Sequence, residues 1–311
     1  MSITVMSTDQ LAEIPRPRWL IEEFVAENST TMIYGPWGLG KSFMTLDMVL
    51  TATTGQEWYG RAVDRPLKTL FVIAEGAAWW YRRVLAYERL RGPIDRDMIL
   101  WVPEPINLWN DKTAIYDLET ILERERPDIM VIDTWVRCSS AFGMNEDKAT
   151  DTAMVYNKLD MLRDKYKVSP VLVHHPTKSG GSRGSGNQEA SVERVIALHA
   201  VEGHDNMFDV ADEKGNHVEP FETFRMHFES VDMSDLVEGL SSAVVVYDGV
   251  QADDNQANHE KLFNAIRGML PMRQAQIRKL KVIKDGSVSA ALKLLVDRGI
   301  LENRDGEYYE C

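Results

Sequence analysis

One run of eight residues, Gly35-Pro-Trp-Gly-Leu-Gly-Lys41-Ser42, limits what this chain can fold into more than any other feature. It matches G-x-x-x-x-G-K-[ST] at every fixed position, and its flanks are the ones that pattern needs. Ahead of it, Thr30 to Tyr34 reads as a buried strand. Behind it, Lys41 to Ala52 carries Phe43, Met44, Leu46, Met48 and Val49 at helical spacing. A strand that turns through glycines into a helix cradles phosphate for physical reasons. Glycine lets the backbone bend so that successive N–H groups point inward. The helix that follows adds the positive end of its dipole. Gly35, Pro36, Trp37, Gly38, Leu39 and Gly40 would wrap the phosphates, with Lys41, Ser42 and Phe43 opening the helix. Lys41 is expected to reach the β- and γ-phosphates and the Ser42 hydroxyl to ligate Mg2+, which makes ATP with Mg2+ the expected ligand.

The chain beyond this loop alternates strand and helix. Leu67 to Ala74, Asp128 to Ile132 and Pro170 to His174 read as apolar strands. Ala77 to Arg91, Ile115 to Arg124 and Asp151 to Tyr166 read as helices. That alternation predicts an α/β fold, a mostly parallel sheet with helices on both faces. After Ser191 the pattern changes to strands over Val192–Ala200, Phe221–Phe228 and Ala243–Tyr247 with acidic connections, expected to extend the sheet or to form a meander.

Three strand ends carry chemistry. Asp133 closes an apolar strand, which puts its carboxylate at the sheet edge beside the cradle, where it can hold Mg2+ directly or through water. Glu75 ends the strand Leu70–Ala74, and a carboxylate at that edge can accept the proton of an attacking water. His174-His175 follows Val171–Val173, and of the two His175 is favoured as a contact to the γ-phosphate. Further on, Lys178-Ser-Gly-Gly-Ser-Arg183-Gly-Ser-Gly186 is a basic, glycine-rich loop, suited to reaching a neighbouring subunit's ATP or to touching DNA phosphates.

Taken in order, the cradle, Glu75-Gly76, Asp133-Thr134, His174-His175 and Arg183-Gly-Ser resemble the RecA-like ATPases of the RepA hexameric helicase group. Ile73-Ala-Glu-Gly-Ala-Ala78 with Arg82-Arg83, and Ile132-Asp-Thr-Trp-Val-Arg-Cys138, are also similar to it. The resemblance covers about residues 15–200. It implies Glu75 as catalytic base, His175 as γ-phosphate sensor and Arg183 as an arginine finger acting across a subunit interface. It implies a homo-oligomer, with the hexamer as the group's form. It also places Arg82 against adenine, with Tyr81 and Arg83 as alternatives. The chain departs from the group after Arg183-Gly-Ser185, where Gly-Asn-Gln-Glu-Ala190 replaces an apolar segment, and in its acidic late strands.

Charge bears on those departures. The net charge is −13, which does not suit a protein that passively coats DNA. Residues 201–258 hold 14 acidic and 2 basic residues, whereas residues 259–311 hold 10 basic and 7 acidic ones. Asymmetry of this kind points to a small tail module with its own partner. The expected organisation is an ATPase domain over 1–250, a linker over 251–258 and a tail domain over 259–311. In the tail, His259–Leu270, Arg273–Leu280 and Val288–Arg298 read as helices and Gly299–Tyr309 as a hairpin with an Asp-Gly turn. Helix, helix, helix, hairpin resembles a winged helix. Lys178 in the basic loop and, in the tail, Arg273, Arg278, Lys279, Lys281, Lys284, Ser287, Ser289 and Lys293 are the candidate DNA contacts, with protein contact as the competing use.

No run approaches the roughly 18 apolar residues of a membrane helix. Cys138 and Cys311 are the only cysteines, too few for a disulfide framework or a zinc site, so a reducing cytoplasm is expected. The reading that results is an oligomeric, DNA-directed ATPase, helicase-like, serving replication or recombination. The alternative is an ATP-controlled DNA-binding switch or recombination accessory that unwinds nothing.

Overall fold

The structure, a computed structural model, describes residues 5–13, 18–145, 148–175, 185–215, 220–250, 262–282, 288–304 and 306–310. They fall into two compact units, Met1–Gly249 and Val250–Cys311.

In the first unit, a short helix α1 (Thr8–Ala12) and a hairpin of β1 (Trp19–Ile21) and β2 (Val25–Ala26) precede the main sheet. That sheet begins with β3 (Thr31–Tyr34), β4 (Thr69–Ile73), β5 (Ile99–Val102), β6 (Ile129–Asp133), β7 (Ser169–His174) and β8 (Arg194–Val201), which pair in parallel with one another. Then β9 (His204–Gly215), β10 (Phe224–Asp232) and β11 (Ser241–Val250) extend it, with β9 antiparallel to both β8 and β10. The spatial order is β11-β10-β9-β8-β3-β7-β6-β4-β5. The late strands therefore continue the sheet as a meander.

Helices α2 (Lys41–Ala52) and α3 (Trp80–Arg91) cover one face, and α4 (Lys112–Glu125) and α6 (Ala149–Tyr166) the other. The strand period of two explains why neither face is wet. Phe71, Ile73, Val131 and Val173 pack with Met48, Val49, Trp80 and Val84, while Leu70, Val72, Ile132 and Leu172 pack with Leu118, Leu122, Val155 and Leu159. Burying a side chain of this size stabilises the fold by about 1.5–3 kcal/mol. Strands β4, β6 and β7 are buried along their whole length, the signature of a sheet covered on both sides.

Strands β5 and β9 were not expected from the sequence. Strand β5 is only Ile99–Val102 and is covered on one flank, since it lies at the sheet edge beside β4. Strand β9 turns only Phe208 and Val210 fully inward, and its outer positions are polar, so its alternation reads as an acidic connection.

Order decides where the chemistry sits. Strands β3, β7, β6 and β4 are consecutive neighbours, so their carboxyl ends bring the glycine loop, the histidine pair, Asp133 and Glu75 side by side. In an open parallel sheet this edge is where ligands bind.

The second unit has helices Gln274–Lys279 and Val288–Asp297 and a three-stranded sheet of β12 (Met272–Arg273), β13 (Leu301–Arg304) and β14 (Glu307–Glu310), in the order β12-β14-β13. Leu262, Ile266, Ile277, Ala291, Leu292, Leu295 and Leu301 form its core. The expected linker, 251–258, lies outside the described residues.

Candidate functional site

The loop between β3 and α2 owes its shape to its glycines. Gly35, Gly38 and Gly40 have φ of 152°, 80° and 97°. A Cβ at Gly40 would stand 2.7 Å from the Phe228 ring and 2.8 Å from Phe208, and one at Gly35 would stand 2.8 Å from the Leu198 carbonyl. The late strands β8, β9 and β10 thus press on the cradle from behind and leave no room for side chains there. Leu39 packs against the core on the α2 face of the sheet, and Trp37 projects outward, 87% exposed.

The Lys41 ammonium is buried and donates to the Gly35 and Pro36 carbonyls at 2.6 and 2.7 Å. Burial lowers its pKa to about 8, although nearby Asp133 pulls the other way. An ammonium so desolvated gains from any anion placed before it.

Asp133 is fully buried, and its Oδ2 has no hydrogen-bond partner. Burial raises its pKa to about 6; a hydrogen bond from the Ser42 hydroxyl, Arg83 and Lys41 pull it down, while Glu75 adds to the rise. An orphaned buried carboxylate oxygen is costly unless a cation meets it. Asp133 with the adjacent Ser42 hydroxyl therefore fits the hard, oxygen-seeking Mg2+ ion. Among the described residues no separate cluster of His, Cys, Asp and Glu suits a metal.

Glu75 lines the same cleft as Lys41. Its Oε1 accepts from the Thr134 hydroxyl at 3.3 Å and from Arg137 Nε at 2.8 Å. Its own carbonyl accepts from Trp80 Nε1. The two histidines separate. His174 is buried at the end of β7, stacked on Tyr34 at 6.3 Å. His175 lines the cleft with a buried, unpartnered Nδ1. Burial, with help from Lys41, lowers its pKa to about 4, so the ring is neutral at ordinary pH.

The cleft holds about 330 Å³. Trp37, Gly38, Gly40, Lys41, Ser42 and Phe43 line it from the loop side, and Glu75, Trp79, Trp80, Arg83, Asp133 and His175 from the other strand ends. Arg82 does not line it. Its guanidinium lies over Trp79, 4.4 Å from the ring centroid, whereas Arg83 turns into the cleft between Phe43 and Trp80, 4.3 and 4.7 Å from theirs. One residue on a helix is a rotation of about 100°. Arg83, an alternative to Arg82 in the sequence, thus lines the site, as do Trp79 and Thr134, to which the sequence assigns no role, whereas Arg137 meets it only through Glu75. Arg183 and Lys178 lie outside the described residues, as do Lys284 and Ser287 of the tail.

Of the tail's other candidate contacts, Lys279, Lys281 and Lys293 are exposed. Arg273 is paired with Glu307 at 3.1 Å, and Arg278 donates to the Ser289 hydroxyl at 2.9 Å.

Asp133 must be a carboxylate to hold magnesium, and Lys41 an ammonium to hold phosphate. The first charge is lost as pH falls through about 6, the second as pH rises through about 8. Affinity for magnesium nucleotide is therefore expected to peak between these values and to fall by up to about tenfold per pH unit beyond either. Asp133→Asn should remove the acid limb alone. Calorimetric titration across this range checks it, and an acid limb unchanged in Asp133→Asn contradicts it.

Compared with known proteins, residues 3–181 match a family described as an AAA domain, more than half of the chain. Among solved structures, the crystal structure of the RadB recombinase is similar over 66% of this chain and 89% of that one, with 12% sequence identity and a TM-score of 0.49. No curated protein matches the chain. No helix among the described residues is long and apolar enough to cross a membrane.

Proposed function

Since the chain belongs to the AAA domain family, we propose that it binds ATP with Mg2+ in the cleft at the carboxyl edge of the sheet and hydrolyses it. The observation that carries this reading is a buried ammonium, Lys41, near a buried carboxylate whose Oδ2 lacks a partner, Asp133, with the Ser42 hydroxyl hydrogen-bonded to that carboxylate. Mg2+ on Ser42 and Asp133 would supply charge neutralisation for the phosphates. Lys41 exchanges its two loop carbonyls for phosphate oxygens. Glu75 takes a proton from water as the water oxygen bonds the γ-phosphorus and the bond to ADP breaks, ADP leaving with the electron pair. Neutral His175 offers an N–H to the γ-phosphate. The adenine contact falls to Arg83 and Trp79, which line the cleft, in place of Arg82. Arg183 completes the site from a neighbouring subunit, in the manner of the RepA-type helicases the sequence resembles.

The wider role we propose is that of an oligomeric, DNA-directed ATPase in replication or recombination, with a winged-helix tail. A second reading, an ATP-controlled switch on DNA without unwinding, is favoured by one observation. Among the late strands, Arg225 is paired with Asp209 and Arg194 with Asp212, and the surrounding charge is acidic. Such strands offer little to a phosphate backbone. ATP turnover with and without single- and double-stranded DNA, beside a strand-displacement assay, separates the two. Stimulation with unwinding supports the helicase, stimulation alone the switch, and turnover indifferent to DNA opposes both.

A further inference from the structure

Arg137 has no part in the site as so far assigned, yet it holds the group assigned the proton transfer. It lies on a single helical turn, α5 (Trp135–Cys138), that follows the β6 carboxylate. That turn is anchored tightly. Trp135 is fully buried and donates to Gln188 Oε1 at 2.9 Å, Cys138 is buried, and the Cys138 carbonyl accepts from the Leu108 N–H at 3.0 Å. The Glu75 backbone is fixed as well. The Ala74 N–H donates to the Asp133 carbonyl at 2.7 Å, and Gly76, at φ 64°, turns the chain away immediately after. Two rigid backbones thus face each other across the ends of β4 and β6, which are neighbours in the sheet. Between them Arg137 Nε meets Glu75 Oε1 at 2.8 Å.

Glu75 lines the cleft and Arg137 does not, so the arginine grips the carboxylate from outside the cleft. Both side chains are about half exposed, 54% and 50%. An exposed pair of this kind contributes little to stability. A long, exposed carboxylate without a grip would sample several rotamers, few of which aim an oxygen at water held before the γ-phosphate.

We propose that Arg137 is a positioning residue. With the Thr134 hydroxyl it ties down Oε1, so that the other carboxylate oxygen is presented to the attacking water. This rests on the reading of Glu75 as the base.

The test is single-turnover hydrolysis of magnesium ATP by the full chain, with binding of a fluorescent ATP analogue and thermal melting measured alongside. The variants are Arg137→Ala, Arg137→Lys, Glu75→Gln and the double variant Glu75→Gln with Arg137→Ala. Arg137→Ala is expected to lose about 10²-fold in rate while nucleotide affinity and melting stay unchanged. Arg137→Lys recovers part of the loss, since it keeps the charge and drops the planar fork. In the Glu75→Gln background, removing Arg137 changes nothing further, because the two act as one unit. Arg137→Ala at or above the wild-type rate overturns the positioning role. So does an equal further loss in the double variant. Glu75→Gln at the wild-type rate removes the base assignment itself, and the positioning role with it.

Discussion

Lys41→Ala abolishes ATP turnover, a loss of about 10³-fold or more, if the account of the cradle is right. The expectation follows from where the ammonium sits. It is buried, it has given up most of its hydration, and it is held by only two carbonyls of its own loop. Charge interactions in such a place are several times stronger than in water. A triphosphate presents more negative oxygen than two carbonyls do, and the negative charge on the bridging oxygen grows as the bond to ADP breaks. Removing the ammonium takes away that stabilisation and leaves the carbonyls of Gly35 and Pro36 without their donor. Nucleotide affinity should weaken too. The intrinsic fluorescence of Trp37 and Trp79, both exposed and both lining the cleft, offers a direct readout of it. Turnover by Lys41→Ala near the wild-type rate would contradict the assignment.

The second large effect is expected at Arg183. As an arginine finger supplied by a neighbour, it would be worth about 10³–10⁵ in rate. Arg183→Ala should bind nucleotide as tightly as the wild type and lose turnover by that factor. Turnover per subunit in the wild type should also climb with protein concentration, because a lone subunit lacks the finger. Mixing Arg183→Ala with Lys41→Ala chains should restore some activity, since intact cradles then meet intact fingers at mixed interfaces. If Arg183→Ala hydrolyses ATP normally, the residue plays no such part.

How much of this site was legible in the sequence depended on whether its signal was local. The cradle, Asp133 and Glu75 announce themselves because a strand, a turn and a residue type coincide within a few positions. The partnership of Glu75 with Arg137 has no such signature. The two are 62 positions apart, and they meet because β4 and β6 are neighbours, a fact of sheet order. Arg82 and Arg83 show a different limit. Helix α3 is preceded by a 3₁₀ turn, Ala77–Trp79, with three residues per turn in place of 3.6. That turn shifts the phase of everything after it, so counting from Glu75 cannot tell which arginine faces the cleft. The pressure of Phe208 and Phe228 on Gly40 was equally out of reach, because β9 hides its two core residues among acids.

Late-strand acidity matters to function for the same reason. The meander backs the cradle through its apolar side, Asp209 on its other side is paired with Arg225, and Asp212 is buried in an ion pair with Arg194. The late strands support the phosphate loop, and the balance of charge turns basic only in residues 259–311.

Whether a magnesium triphosphate lodges between Lys41-Ser42 and Asp133 is decided most directly by titrating a non-hydrolysable ATP analogue into the protein in a calorimeter, with and without Mg2+. The account predicts one site per chain in the wild type, tightened strongly by the metal, and the same site in Asp133→Asn with that tightening lost. No heat in the wild type, or an Asp133→Asn variant that gains as much from magnesium as the wild type does, would contradict it.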